Sequence, residues 1–139
     1  MLLPGLTQLA LLLACGLLGG CVGGGEAMRG DGPVDIVSSG TPTLMPQTYM
    51  TMDRRCRPQP RPSAVVTEPP RHGRVRMLTR DAAAVYGPGA YAHCDGRIGR
   101  SLAFEYTSAP GYRGPDGFAV RVRYTDGETR TGRFAITLR

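Results

Sequence analysis

Phe118, Val120, Val122 and Tyr124 occupy every second position of one short segment, and Arg121 and Arg123 occupy positions between them. A period of two belongs to a strand with one face buried and the other in water. Thr125-Asp126-Gly127-Glu128 follows, and Asp-Gly favours a tight hairpin turn because the pair tolerates positive φ. The return strand repeats the alternation through Phe134, Ile136 and Leu138. The end of the chain is therefore predicted to be an antiparallel hairpin with one apolar side.

Leu102 to Tyr106 alternates in the same way, as do Val75 and Met77 among Arg74, Arg76 and Arg80. Ala64 to Glu68 makes another short strand, joined onward by Pro69-Pro70-Arg71-His72-Gly73, a turn whose prolines cannot donate to a ladder. Met50 and Met52 alternate in a first strand over Tyr49 to Asp53, which puts both on a core face. Only Arg80 to Tyr86 has a helical pattern, and it is shorter than ordinary helices. The fold class expected is all-β, a small antiparallel sandwich over residues 49–139. Residues 21–48 are rich in Gly, Ser and Pro without periodicity and read as a flexible tether.

Residues 1–20 read as a targeting segment. Leu9 to Leu18 is an apolar run of secretory length, too short to span about 30 Å of hydrocarbon as a helix. It ends in Leu18-Gly19-Gly20-Cys21, which resembles the lipobox of bacterial lipoproteins; Leu12-Leu13-Ala14-Cys15 fits more loosely. The resemblance implies export, removal of the leader and lipidation of Cys21. It also implies permanent anchoring at a membrane, since two or more acyl chains hold a protein stably there. Val22 stands where an Asp would retain some family members at the inner membrane, so the outer membrane facing the periplasm is expected. No Lys or Arg precedes Arg29, a departure from the usual basic start of such leaders.

Phe104-Glu105-Tyr106-Thr107-Ser108-Ala109-Pro110-Gly111-Tyr112-Arg113-Gly114-Pro115-Asp116-Gly117-Phe118 resembles the corner motif of bacterial Ig-like and cadherin-like domains. Ser108 replaces a proline of that motif, and Pro70-Arg71-His72-Gly73-Arg74-Val75 is similar to the turn that opens those domains. The resemblance covers Val65 to the C-terminus and implies an Ig-like sandwich. Physically, Gly111 and Gly114 permit a tight reversal, Asp116 can cap backbone amides, and Tyr112 and Phe118 fill the sandwich end. Cadherin-type relatives bind calcium through clustered carboxylates. The acidic residues here are isolated, so neither calcium nor any other cofactor is expected.

Cys56 and Cys94 remain as an even pair in an exported domain, and a disulfide between them is expected. His93 precedes Cys94, but an oxidised cysteine is no nucleophile, and no base and orienter stand at useful spacing. The chain is therefore expected not to be an enzyme. All 17 basic residues are Arg and the net charge is +6, a balance that suits planar anions. Arg71, Arg74, Arg76 and Arg80 make a candidate face for an anionic envelope polymer such as acidic glycan or lipopolysaccharide, or for an envelope protein. No nucleic-acid motif is present, and nucleic acid is not expected as a partner. The function expected is a non-catalytic, lipid-anchored binding or structural module of the envelope. The alternative is a small periplasmic copper or zinc protein using Met45, Met50, Met52, His72 and His93.

Overall fold

The structure, a computed structural model, describes residues 34–36 and 38–139. Its strands are β1 (Val34–Ile36), β2 (Thr43–Leu44), β3 (Ser63–Glu68), β4 (Gly73–Ala83), β5 (Ile98–Ser108), β6 (Gly114–Arg123) and β7 (Thr129–Leu138). They form a four-stranded sheet in the order β1-β7-β6-β3 and a three-stranded sheet in the order β2-β5-β4. All pairings are antiparallel except β1 on β7. Lettered A to G along the chain, the sheets read A-G-F-C and B-E-D, an Ig-type arrangement of a small all-β sandwich.

The alternating C-terminal segments pair as β6 and β7 with Phe118 opposite Phe134. Their rings stack at 4.4 Å, and Phe104 reaches them from the other sheet at 6.1 and 5.4 Å between centroids. Around these rings Leu102, Tyr106, Val120, Val122, Ile136 and Leu138 complete the core. Each such side chain contributes about 1.5 to 3 kcal/mol by leaving water. The hairpin turn is wider than the Asp-Gly pair predicts. Gly127 takes positive φ (91°) but Asp126 does not. Gly127 N–H donates to the Tyr124 carbonyl at 3.0 Å and Tyr124 N–H to the Glu128 carbonyl at 2.8 Å. Asp126 is occupied in accepting from the Glu128 amide at 2.9 Å.

Three expectations change. Arg80 to Ala83 continue β4, in register from Arg80 opposite Ser101 to Ala83 opposite Ile98. Two helical turns in isolation are unstable, whereas an adjacent eleven-residue strand supplies a partner for the ladder. Tyr49 to Asp53 is reduced to isolated bridges, Tyr49 with Leu102 and Met52 with Pro58. The prolines at 46, 58, 60 and 62 remove the donors that a longer ladder needs.

The stretch read as tether also contributes to both sheets, through β1 against β7 and β2 against β5. Ile36 and Met45 are buried in the core. Two serine bonds fasten this stretch to the corner: Gly40 N–H donates to Ser108 Oγ at 2.9 Å, and Gly111 N–H to Ser39 Oγ at 2.8 Å. Among the described residues no helix is long and apolar enough to cross a membrane.

Candidate functional site

Val75 of β4 packs on the core opposite Tyr106 of β5, so the alternate residues of β4 face outward. This puts Arg74, Arg76 and Arg80 in one row, opposite Thr107, Glu105 and Ser101. Arg76 pairs with Glu105 at 3.0 Å. Pro42, Arg74, Arg76, Glu105 and Thr107 line a shallow groove of about 280 Å³. Guanidinium groups so spaced can each present a planar fork to a phosphate or carboxylate oxygen pair.

Arg71 does not join this row. It lies in the turn between β3 and β4, where its backbone N–H donates to Asp116 Oδ1 at 2.9 Å. Pro42, Glu105 and Thr107 were not singled out by the sequence, because their nearness to the arginines arises from β5 lying beside β4 and from the packing of the segment before β2.

The corner end is organised by Asp116. Its carboxylate accepts from Arg71 N–H, from His72 N–H at 3.0 Å, from Gly117 N–H at 2.9 Å and from the Tyr106 hydroxyl at 2.7 Å. The capping role read from the sequence is therefore local at Gly117 and long-range at Arg71 and His72. Burial alone would raise the Asp116 pKa, but the Tyr106 hydroxyl and the three amides hold it below the usual carboxylate value. Burial first, then the bond to Asp116 and its charge, push the Tyr106 hydroxyl well above the ordinary tyrosine value. His72 stacks on Tyr112 at 3.9 Å, and the Tyr112 hydroxyl donates to the Pro115 carbonyl at 2.7 Å.

The opposite end carries the Cys56–Cys94 disulfide, with 5.2 Å between Cα atoms. Cys94 ends a short 3₁₀ turn, Ala92–Cys94, and is fully buried beside Met52 and Ala84, with Met50, Cys56 and Tyr91 packed around. The Asp53 carboxylate accepts the amides of Arg55 at 2.8 Å and Arg57 at 3.0 Å and pairs with the Arg57 guanidinium. The Arg57 amide leads in lowering its pKa; burial opposes, and the Arg57 side chain and Arg55 amide add to the lowering.

The methionine and histidine set of the metal alternative is divided, with Met50, Met52 and His93 at the disulfide end and Met45 and His72 elsewhere. Met45 lies in the main core and Met50 and Met52 at the disulfide end. His72 precedes Gly73 at the start of β4 by the corner, while His93 lies in the 3₁₀ turn at the disulfide end.

Cys15, Cys21 and the whole leader lie outside the described residues. No family model, curated protein or solved structure matches the chain.

Proposed function

We propose that the protein is a non-catalytic module of the bacterial envelope, exported by its first 20 residues and anchored through lipid on Cys21. Its sandwich belongs with the bacterial Ig-like and cadherin-like domains, a reading supported by the corner from Phe104 to Phe118 and by the A-G-F-C and B-E-D strand order. The outer membrane facing the periplasm is the proposed location, from Val22 after the lipobox-like segment. The ligand is an anionic envelope polymer carrying phosphate or carboxylate groups.

The observation that carries the ligand class is the outward row of Arg74, Arg76 and Arg80 beside a groove with only Glu105 as its acid. Each guanidinium near an anionic surface contributes about 1 kcal/mol. That sum is lost as salt screens the charges. The test has two parts. Intact mass of the membrane-extracted protein is expected to show a chain beginning at Cys21 with added acyl mass; an unlipidated mature chain overturns the anchor. Cosedimentation with vesicles containing lipopolysaccharide, against zwitterionic vesicles, is expected to show salt-sensitive binding that the double variant Arg74→Gln, Arg80→Gln weakens more than tenfold. Binding unchanged by that variant overturns the ligand assignment.

A further inference from the structure

We infer that Cys56, Cys94 and His93 form a redox-gated copper(I) site, closed while the disulfide stands and opened when an external dithiol reduces it. The two sulfurs and a ring nitrogen of His93 already lie within 4.8 Å of one another. Two thiolates sharing one ion, with metal–sulfur bonds of about 2.3 Å, stand about 3.7 to 4.0 Å apart. Backbones separated by 5.2 Å between Cα atoms reach that spacing by side-chain rotation.

One ring nitrogen of His93 is engaged by the backbone. His93 Nε2 lies 2.8 Å from the Arg54 carbonyl oxygen, which can only accept, so Nε2 bears the proton and Nδ1 holds the lone pair. A histidine whose other nitrogen donates to a backbone carbonyl is the usual arrangement around a bound metal. The loop carrying Cys56 is closed by bonds of its own. Cys56 N–H donates to the Asp53 carbonyl at 2.9 Å, and the Asp53 carboxylate holds the Arg55 and Arg57 amides. On the other side Cys94 N–H donates to the Tyr91 carbonyl at 2.9 Å. These bonds do not depend on the disulfide, so the ligands stay near one another after reduction.

The surroundings select a soft ion. Met50 and Met52 belong to the same cluster as the cysteine pair, so its lining is apolar and thioether-bearing, surroundings that suit a soft ion. The nearby Asp53 carboxylate is taken up by amides and Arg57, leaving little to hold a hard cation.

The electrons balance through thiol–disulfide exchange. One thiolate of the dithiol attacks a sulfur of the pair to give a mixed disulfide, and its second thiol then displaces that cysteine. Two electrons pass from the dithiol to Cys56 and Cys94, which take up two protons in all, and the reductant leaves as its own disulfide. Copper(I) then displaces both protons without any change of its oxidation state.

The test uses the full chain carrying Cys15→Ser and Cys21→Ser, so that Cys56 and Cys94 are its only cysteines, reduced with a dithiol without oxygen, desalted, and titrated with copper(I) against a chromophoric chelator. The reduced protein is expected to take one equivalent and the oxidised protein none. His93→Ala is expected to lower the affinity at least about tenfold, with both thiols still open to alkylation, while His72→Ala at the far end changes nothing. Circular dichroism of the reduced chain is expected to keep its strand spectrum. Equal binding by the oxidised chain, wild-type affinity in His93→Ala, binding of zinc(II) without copper(I), or copper uptake by a chain that has lost its strand spectrum overturns the site.

Discussion

The Tyr106 hydroxyl donates to Asp116 Oδ2 at 2.7 Å, joining the end of β5 to the start of β6 across the corner between them. The same carboxylate holds the Arg71 and His72 amides of the turn into β4. One side chain thus ties two connections at one end of the sandwich, and both partners titrate away from their ordinary values.

Asp116→Ala leaves those amides and the Tyr106 hydroxyl to water or to no partner, and is expected to cost about 2 kcal/mol in urea unfolding. The partial exposure of the carboxylate keeps the figure below the sum of four charged bonds.

The pH dependence follows from the directions of the two shifts. Asp116 has a lowered folded pKa, so its contribution is present above the unfolded value of about 4 and is lost as pH falls through the folded one. Tyr106 has a raised folded pKa, so its contribution is present below about pH 10 and is lost as pH rises through the folded value. Thermal unfolding against pH is expected to show both limbs. Asp116→Asn should flatten the acid one, and Tyr106→Phe should flatten the alkaline one.

Cys56 and Cys94 are 38 residues apart. Closing a loop of that length removes unfolded-state entropy of about 3 to 4 kcal/mol. Urea unfolding of the Cys56→Ser, Cys94→Ser double variant is expected to show a loss of about that size. A loss below about 1 kcal/mol means that the unfolded chain gains little freedom when the bridge is removed.

Gly132 of β7 has no room for a side chain, because an added Cβ would collide with the Tyr49 hydroxyl and press on Val120 at 3.1 Å. Gly132→Ala is expected to cost about 1 to 3 kcal/mol by overpacking. Adding Tyr49→Phe removes the atom that collides, and the pair is expected to be more stable than additivity allows. Thermal melts of the four proteins give the coupling directly.

Glu105 opposes Arg76 at 3.0 Å on the outward row. Glu105→Gln removes the acid and frees the guanidinium, so binding to lipopolysaccharide vesicles is expected to strengthen about fivefold at low salt. The gain should vanish at high ionic strength, measured by cosedimentation across a salt series.

The sequence alone determined the elements that carry their own period. Alternating apolar and charged residues in β6 and β7 force a one-faced strand whatever surrounds them. Over Leu102 to Tyr106 the two-residue period marks one buried face, but Ser101 and Ala103 on the other side are buried as well, which the period does not show. The pairing of Cys56 with Cys94 was legible too, since only two cysteines lie outside the leader and the lipobox-like segment.

Tertiary structure alone decided the rest. Arg80 to Ala83 became strand because β5 supplied hydrogen-bond partners that local propensity does not encode. Val34 to Ile36 and Thr43 to Leu44 are too short to show a period, and they order only against β7 and β5, with Ser39 and Ser108 fastening the join. The arginine row separated from Arg71 because strand geometry projects alternate residues to one face, while a turn held by Asp116 does not. His93 was placed beside Cys56 by folding across 37 residues, a proximity no local pattern carries.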